Sequence, residues 1–383
     1  MSEGHPGRVL VVGAGLGGLR TIQALRRRGH TGEIVLAGAE PHRPYDRPPL
    51  SKQVLHHDEP QDPWLGTEDE LAALDVDLRL DSPVTALSVD GRTAQTPRGE
   101  IGYDTVVVAT GAVPRRVAGV GGRVLRTLDD ARTLRADLRP GSHLVVIGAG
   151  LVGCEVAASA RLMGVEVTLV DVLAAPAVRV LGPTVGGMLA DLHAAHGVRM
   201  HLGTHVAPAP GGVLRLADGA ELRADVVLES IGAVPDTDWL VGSGVPLGNG
   251  VLCDADGAAA PGVYAVGDVA CWDGHRDEHW TTVGQQADHV ATVLLGQDRP
   301  VREVPYWWSD QHGVKLQGLG HPGPDDEVRV VTAGPRARQV AVYSRDGRLT
   351  GLVGFSAAGV IMRLRDDVAA GTDVDDVLAR LAA

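Results

Sequence analysis

Two segments of the chain place apolar and polar positions in the same order. In the first, residues 8–12 form a short apolar run, residues 13–18 are rich in glycine, and residues 19–28 carry Leu, Ile and Leu three residues apart. The apolar run predicts a buried strand, and the helical spacing that follows predicts an amphipathic helix. A second apolar run lies at residues 34–36. The segment is therefore predicted to form a βαβ unit.

The same order returns in residues 143–171, again with a glycine turn between an apolar run and a helical pattern. Two βαβ units in one chain imply two doubly wound domains. Other segments also carry strand, turn or helix signals. Strands are predicted at 103–109, 225–231 and 263–266, meanders or hairpins at 78–90 and 211–222, and a terminal helix near 370–383.

The predicted fold is α/β: two doubly wound, Rossmann-like dinucleotide-binding domains and a small α+β domain at the C-terminus. The first domain is predicted to be discontinuous, with the second inserted into it. After about residue 300 the character of the sequence changes, because VPYWWSDQHGVKLQ is aromatic and carries no glycine fingerprint. The predicted boundaries are 1–112 with 244–300 for the first domain, 113–243 for the second and 301–383 for the third.

Composition and charge narrow the possible functions. A chain of 383 residues exceeds one ordinary core, and its 44% apolar and 22% charged residues indicate a globular protein. The formal net charge of −13 argues against binding to nucleic acid or an anionic membrane. No signal peptide is visible, and no run approaches the roughly 20 apolar residues of a membrane helix. A cytoplasmic location is expected.

The first glycine turn has the spacing of a dinucleotide fingerprint, Gly13-x-Gly15-x-x-Gly18. The first glycine permits a tight turn, the second lets a pyrophosphate approach the backbone, and the third lets the helix pack on the strand. The free N–H groups and dipole of the helix N-terminus favour phosphate. Glu40, near the end of the second strand, can accept hydrogen bonds from ribose hydroxyls. The turn is therefore predicted to bind a dinucleotide.

The second fingerprint is Gly148-x-Gly150-x-x-Gly153, followed by Asp171 at the end of the next strand. A carboxylate there can bond a ribose and should repel a 2′-phosphate. No arginine follows immediately, and the next one downstream is Arg179. The pattern favours NADH, with NADPH left open.

The cysteines and histidines do not form a redox or metal motif. Cys154, Cys253 and Cys271 are far apart, and no CxxC pair is present. Dispersed free cysteines fit a reducing compartment. His193 and His196 are three residues apart on a predicted helix without a third ligand nearby. We expect them on the surface, and no bound metal is expected.

Several longer strings carry a resemblance to a known family. Residues 44–52 read PYDRPPLSK and residues 304–317 read VPYWWSDQHGVKLQ; VVVATGAVPR, IGAVPDTDWL and GVYAVGDVA occur between them. In this order they resemble the FAD- and NADH-dependent ferredoxin reductases of oxygenase systems, of the putidaredoxin, rubredoxin and biphenyl dioxygenase type. The broader fold resembles that of glutathione reductase. The resemblance covers nearly the whole chain.

The resemblance implies that the first fingerprint binds FAD and the second binds NADH. It implies that Glu40 bonds the FAD ribose, Asp268 the ribityl chain, and Arg47 and Arg126 the flavin side. It places Trp280 at a helix N-terminus beside the pyrimidine end of the flavin. The remaining FAD contacts that it implies are Ala14, Val84, Ala109, Thr110 and Gly111.

For the reacting centre, the resemblance implies that Lys52 and Glu155 form a pair near the contact between nicotinamide and flavin. It also implies that Trp308 flanks the isoalloxazine, while Trp307 belongs to the core. The remaining nicotinamide-cofactor contacts that it implies are Leu151, Val152, Arg179, Ile231 and Gly232. The chain departs from the family where Asp171 replaces the more usual Glu and where LVGFSAAGVIMRLR replaces a longer, Asn-containing stretch.

The expected function is transfer of a hydride from NADH to FAD and of single electrons from FAD to a ferredoxin that serves an oxygenase or cytochrome P450. An external acceptor is expected because a disulfide or coenzyme A reductase needs cysteines that this chain lacks. A local basic surface including Arg302 and Lys315 would meet the ferredoxin. Two alternatives stay open: an NADH oxidase or other flavoenzyme that reduces a small molecule, and a non-enzymatic sensor or scaffold. The sequence leaves open whether the protein is a monomer or a homodimer.

Overall fold

The computed structural model describes residues 6–57, 59, 62–210, 212–299 and 303–382. The helices within these residues are α1 Leu16–Arg27, α2 Gln53–His56, α3 Glu68–Ala72, α4 Leu128–Asp137, α5 Leu151–Leu162, α6 Val178–Ala195, α7 Trp280–Leu294, α8 Ala358–Ile361, α9 Arg365–Ala370 and α10 Val374–Ala382. Short 3₁₀ helices lie at Pro48–Ser51, Asp238–Leu240, Gly267–Val269 and Met362–Leu364.

The strands of the first half are β1 Val9–Val12, β2 Ile34–Ala37, β3 Asp77–Arg79, β4 Ala86–Ser88, β5 Thr93–Thr96, β6 Gly99–Gly102, β7 Thr105–Val108, β8 Ala112–Pro114, β9 His143–Ile147, β10 Glu166–Asp171 and β11 Arg199–Leu202. Those of the second half are β12 Val206–Ala209, β13 Val213–Leu216, β14 Glu221–Arg223, β15 Val226–Glu229, β16 Ala233–Pro235, β17 Leu247–Gly248, β18 Gly250–Cys253, β19 Ala258–Ala260, β20 Val263–Ala265, β21 Ala270–Trp272, β22 Tyr306–Gln311, β23 Val314–Gly320, β24 Glu327–Ala333, β25 Arg338–Arg345 and β26 Arg348–Phe355.

Contacts divide the chain into two compact units. The first unit comprises Met1–Asp46, Asp62–Val113 and Ala233–Glu303. The second comprises Arg47–Gln61, Pro114–Gly232 and Val304–Ala383. This division differs from the predicted domains in three ways. The C-terminal segment belongs to the same unit as the second fingerprint, and residues 47–61 belong to that unit as well. The chain re-enters the first unit at residue 233, whereas the prediction was residue 244. The three-domain boundaries of the sequence analysis remain a prediction.

The first unit is built on a six-stranded sheet in the order β19-β20-β7-β1-β2-β3. Strands β20, β7, β1, β2 and β3 are parallel neighbours, and β19 is antiparallel to β20. All four residues of β1 are buried, as an apolar run in a covered parallel sheet requires. The predicted doubly wound architecture is confirmed in this unit.

Two local predictions in the first unit need correction. Residues 78–90 do not form one meander, because β3 joins the parallel sheet beside β2 while β4 pairs with β5 in a separate sheet. Helix α1 begins at Leu16, three residues before the predicted start. It can begin there because Gly18 has no side chain to clash with the Gly13 oxygen, so the helix starts within the glycine turn.

The second unit contains a parallel sheet in the order β11-β10-β9-β15 and a five-stranded antiparallel sheet in the order β22-β23-β26-β25-β24. The apolar face of α6 packs against the antiparallel sheet, where Leu181, Val185 and Leu189 share a core with Trp307 and Tyr343. This packing brings the end of α6 beside β22. The predicted α+β character of the C-terminal segment and its terminal helix are confirmed.

The hairpin between β22 and β23 turns in two residues. His312 and Gly313 both have positive φ, +51° and +75°, and Gln311 pairs with Val314 on either side. Two central residues in the left-handed region define the tight turn whose twist suits neighbouring antiparallel strands. The turn fixes the register of β22 and therefore the face on which each of its side chains lies.

Candidate functional site

The first glycine turn has the close contacts that a pyrophosphate cradle requires. A Cβ on Gly13, whose φ is +114°, would lie 2.3 Å from the Ala109 carbonyl oxygen, and a Cβ on Gly18 would lie 2.1 Å from the Gly13 oxygen. A Cβ on Gly15 would meet no atom within 4 Å. Gly13 and Gly18 are therefore required by the protein, whereas Gly15 leaves space for a ligand above the N-terminus of α1.

The second glycine turn repeats this geometry. A Cβ on Gly148, at φ +105°, would lie 2.3 Å from the Ser230 oxygen, and one on Gly153 would lie 2.1 Å from the Gly148 oxygen. Gly150 again faces open space and caps α5 without a side-chain hydrogen bond. Both turns fit a dinucleotide pyrophosphate by the same test.

The two predicted ribose acids have different surroundings. Glu40 accepts the Tyr45 hydroxyl at 2.6 Å. Asp171 ends β10, and its two carboxylate oxygens accept the backbone N–H groups of Ala149, at 2.6 Å, and of Leu173, at 2.8 Å. Asp171 thus also holds the second glycine turn, a task that its residue type alone did not predict.

Other predicted FAD contacts in the first unit lie at the ends of its strands. Thr110 donates its hydroxyl to the Asp236 carbonyl at 2.9 Å, and Asp268 lies half-buried in a 3₁₀ helix after β20. Trp280 is the first residue of α7 and donates its indole N–H to Asp46 at 2.8 Å. The sequence prediction of a helix N-terminus at Trp280 is confirmed.

Four further predicted FAD contacts surround the first glycine turn and the sheet below it. Ala109 closes against Gly13, and Gly111 has a φ of +76°. Ala14 and Val84 are half-buried and pack against the core of this unit. Their roles toward a cofactor remain predictions.

Arg47 and Arg126 both belong to the second unit and are in contact. The Arg47 guanidinium donates to the Arg126 carbonyl. The backbone N–H of Arg126 in turn donates to the Asp130 carboxylate at 3.0 Å, just before α4 begins. The structure therefore places in contact two arginines that the resemblance assigned to the flavin side.

Apolar side chains flank the second glycine turn. Leu151 and Val152 open α5, and Val152 is 46% exposed. Ile231, 36% exposed, follows the carbonyl that closes against Gly148, and Gly232 has a φ of +97°. Arg179 is exposed in the first turn of α6. Exposed apolar groups beside a polar cradle are what a nicotinamide cofactor would cover.

Lys52 and Glu155 form a buried ion pair in the second unit, with Nζ and Oε2 2.8 Å apart and only 6% and 5% of the residues exposed. The Ser51 hydroxyl donates to the same Glu155 oxygen at 2.5 Å. The Ser309 hydroxyl donates to the other oxygen at 2.7 Å. A buried carboxylate with a cation and two hydroxyl donors is well compensated and rigidly held.

Strand β22 separates its side chains cleanly by face. Trp307 is 5% exposed and lies in the core with α6, as predicted, whereas Trp308 is half-buried with its ring centroid 6.2 Å from that of Tyr306. The two faces carry Tyr306, Trp308 and Asp310 on one side, and Trp307, Ser309 and Gln311 on the other. The flavin contact of Trp308 remains a prediction.

A hydrogen-bonded chain that the sequence did not predict ends on Glu155. Gln311 donates its amide N–H to the Ser309 oxygen at 3.0 Å, and His193 Nε2 lies 3.0 Å from Gln311 Oε1. His312 Nε2 lies 3.0 Å from His193 Nδ1. The expectation that His193 lies on the surface is wrong: it is 0% exposed, because the apolar face of α6 turns it toward β22. His196 is exposed, as expected, and its ring stacks on that of His312.

The three cysteines are free and buried. Burial raises the pKa of the Cys154 thiol, and it raises the pKa of Cys253 to about 12. Thiolates are the nucleophiles of thiol–disulfide exchange, so Cys154 and Cys253 are poorly suited to it. Among the described residues, no group of three or more His, Cys, Asp or Glu side chains is arranged to hold a metal ion.

The predicted basic surface is described only in part. Lys315 lies 3.6 Å from the Asp310 carboxylate, and Arg302 falls outside the described residues. None of the helices in the described part of the chain combines the length and apolar character needed to cross a membrane.

Comparison with known proteins gives matches along most of the chain. A family model described as pyridine nucleotide-disulphide oxidoreductase matches residues 7–289, and one described as reductase C-terminal matches residues 306–381. The ferredoxin reductase component of chlorobenzene dioxygenase from Cupriavidus sp. (strain PS12) is 38% identical and covers 91% of this chain and 89% of its own. The ferredoxin–NAD(+) reductase component of the biphenyl dioxygenase system from Paraburkholderia xenovorans (strain LB400) is also 38% identical, covering 84% and 83%.

Among solved structures, the chain is similar to the covalent putidaredoxin reductase–putidaredoxin complex. The TM-score is 0.89 at 28% sequence identity, and the match covers 99% of this chain and 100% of the other.

Proposed function

Because this chain belongs to the pyridine nucleotide-disulphide oxidoreductase family and carries its reductase C-terminal domain, we propose that it is an NADH-dependent ferredoxin reductase serving an oxygenase or cytochrome P450. The observation that carries the proposal is the pair of matching glycine cradles in a chain whose cysteines are all buried. Two cradles hold two dinucleotides, and electrons then leave for an external acceptor. The names of the dioxygenase reductases and of the putidaredoxin complex support a ferredoxin as that acceptor.

FAD is assigned to the cradle at Gly13, Gly15 and Gly18, with Glu40 holding its ribose. Bound FAD accepts two electrons together and can release them one at a time. The N-terminus of α7, which begins at Trp280, offers backbone N–H groups to negative charge on the ring. The other residues assigned to FAD are Ala14, Arg47, Val84, Ala109, Thr110, Gly111, Arg126, Asp268 and Trp308.

The nicotinamide cofactor is assigned to the second cradle and is NADH rather than NADPH. Asp171 is half-buried at the end of β10 and accepts the N–H groups of Ala149 and Leu173, and a carboxylate at this position would repel a 2′-phosphate. The ratio of kcat/KM for the two cofactors tests this assignment. A value above tenfold for NADH is expected, since one unit-charge repulsion exceeds about 1.4 kcal/mol at short range. A preference for NADPH would refute it.

Lys52 and Glu155 are assigned to orienting the nicotinamide ring. Glu155 lies in the second turn of α5, the helix whose N-terminus faces the pyrophosphate. The ion pair carries no net charge and presents fixed dipoles, so it can hold the ring without favouring one redox state strongly. Neither side chain acts as a nucleophile in this assignment.

The function is tested on the purified, FAD-loaded protein under anaerobic conditions. NADH should bleach the flavin absorbance, and a [2Fe–2S] ferredoxin should then be reduced in steady state. Turnover with oxygen alone should be much slower than with ferredoxin. An equal rate with oxygen would instead identify an oxidase, and flavin that NADH leaves oxidised would contradict any reductase function.

A cytoplasmic location is also proposed, since dispersed free cysteines suit a reducing compartment.

A further inference from the structure

We propose that His193 is a positioning residue for hydride transfer, acting through Gln311 and Ser309 on the Glu155 carboxylate. This inference rests on the proposed role of the Lys52–Glu155 pair. His193 is 118 residues from Gln311 in the sequence, and the two side chains meet 3.0 Å apart in a buried environment. Gln311, Ser309 and Glu155 are buried as well.

The chemistry of each group fixes the direction of the whole chain. An ionised carboxylate only accepts hydrogen bonds, so the Ser309 hydroxyl donates to Glu155 and its oxygen is left to accept from the Gln311 amide N–H. The Gln311 carbonyl oxygen must then accept, and His193 Nε2 must carry a proton to donate to it.

The far side of the imidazole is fixed by His312. Neutral His193 with a proton on Nε2 has an acceptor at Nδ1, and His312 Nε2 lies 3.0 Å from that atom as the donor. Burial of the ring lowers the pKa of His193, and the neighbouring His196 lowers it as well. His193 therefore stays neutral at pH 7. Every donor from His312 onward therefore points toward Glu155.

A directed chain of this kind restricts the Glu155 carboxylate to one rotamer. Ser309 is the donor to Oε1, and a hydroxyl is free to rotate unless its own oxygen is engaged. Gln311 engages that oxygen, and His193 keeps the Gln311 amide from flipping. Loss of the His193 donor would let Gln311 and Ser309 reorient, and Lys52 would follow because its Nζ is bonded to Oε2.

Two isosteric replacements separate positioning from packing. His193→Gln places an amide N–H near the former Nε2 and can still donate to Gln311. His193→Asn places its amide near the former Nδ1 and cannot reach Gln311. Both variants remove the ring from the same buried position. His196→Ala is the control for loss of a histidine ring. His196 is exposed and stacks on His312, but its Nδ1 bonds the Leu192 carbonyl on its own helix, so its removal breaks no hydrogen bond of the chain that ends on Glu155.

The experiment is anaerobic rapid mixing of the FAD-loaded variants with increasing NADH, together with thermal unfolding. We expect His193→Asn to lower the limiting rate of flavin reduction about tenfold, since small misplacement of a positioned group slows reaction at this scale. The apparent Kd for NADH should change less than threefold. His193→Gln should restore the rate to within about twofold of the wild type, although its Tm falls as much as that of His193→Asn. His196→Ala should leave the rate unchanged, even if loss of its stacking on His312 lowers the Tm.

Equal rates for the Gln and Asn variants, or a rate that follows Tm across them, would overturn the positioning role. If His193→Asn does not fold, Ser309→Ala provides the second test, with the same tenfold loss expected and a wild-type rate counting against the chain. The Lys52→Met variant distinguishes the role of His193 from the role of the Lys52–Glu155 ion pair. A slow Lys52→Met beside a wild-type rate for His193→Asn would refute only the His193 role, whereas an unchanged Lys52→Met would refute both.

Discussion

The carboxylate of Asp171 is bonded to the backbone N–H of Ala149, 2.6 Å away, inside the second glycine turn. Ala149 lies between the first two glycines of the fingerprint, so this bond ties the end of β10 to the turn that we assign to the nicotinamide cofactor. Asp171 therefore holds the backbone of the glycine turn directly.

Replacing Asp171 by Asn should weaken both the turn and the choice of cofactor. The amide oxygen can accept a hydrogen bond from one of the two backbone N–H groups, but the amide NH₂ would face the other N–H group and leave it without an acceptor. We therefore expect the free energy of unfolding to fall by about 1–3 kcal/mol. The preference for NADH over NADPH should fall as well. Urea unfolding and the ratio of kcat/KM values measure the two effects. As a control, Arg179→Ala replaces an exposed side chain and should leave stability unchanged. If Asp171→Asn has the stability and the cofactor preference of the wild type, the bond to Ala149 is unimportant.

The glycines of each cradle should divide into two kinds. Gly150→Ala places a methyl group in open space, so the protein should fold normally and retain FAD but show at least a tenfold higher KM for NADH. Gly153→Ala places the methyl 2.1 Å from the Gly148 oxygen and should destabilise the protein by about 1–3 kcal/mol. Calorimetry and steady-state kinetics distinguish the pair. The assignment of the cradle fails if Gly150→Ala binds NADH normally.

Gly15 in the first cradle gives the equivalent test for FAD. Gly15→Ala should fold with reduced flavin content and leave the KM for NADH of the remaining holoenzyme unchanged. Flavin absorbance relative to protein absorbance measures the loss. A full flavin complement in this variant would argue that FAD lies elsewhere.

Stability should fall as the solution becomes acidic, partly through His312. The pKa of His312 is lowered to about 3, first by burial and then by repulsion from His193 and His196, where acid protonates them, and from Arg161. In the unfolded chain a histidine takes up its proton near pH 6.5. The unfolded state therefore binds more protons between about pH 6.5 and 3, and the free energy of unfolding decreases as pH falls through that window.

His312→Asn should reduce this pH dependence. Asparagine tolerates the positive φ of the turn and does not titrate, so the hairpin should be retained. Denaturant unfolding at pH 7.5 and pH 5.0, with FAD held in excess, compares the two proteins. A smaller loss of stability on acidification is expected for the variant. An identical loss would assign the effect to other groups.

Thiol chemistry should have no part in turnover. Cys154→Ala should keep its rate of ferredoxin reduction while losing about 1 kcal/mol of stability, as is usual for trimming a buried side chain. Pretreatment of the native protein with a thiol-alkylating reagent should leave activity intact. Inhibition that Cys154→Ala prevents would point instead to a reactive cysteine.

Much of this protein is predicted by its sequence because the relevant signals are local. The glycines of the two fingerprints, the helical spacing after each and the apolar strand before each lie within about thirty residues. Such patterns report backbone conformation directly, so the two cradles were located to the residue. The pairing of Lys52 with Glu155 was also expected, but only through resemblance to a family.

The tertiary structure decided everything that depends on distant segments meeting. Nothing near His193 indicates that its helix packs on a strand more than 100 residues away, and its burial follows from that packing alone. Glu155 likewise meets Ser51 and Ser309, which are 104 and 154 residues distant. Local patterns fix which face of an element is apolar, whereas the identity of the element that covers it is set by the fold as a whole. The sequence alone thus determined the two glycine turns to which we assign dinucleotides, and the packing of α6 on β22 decided which polar side chains hold Glu155.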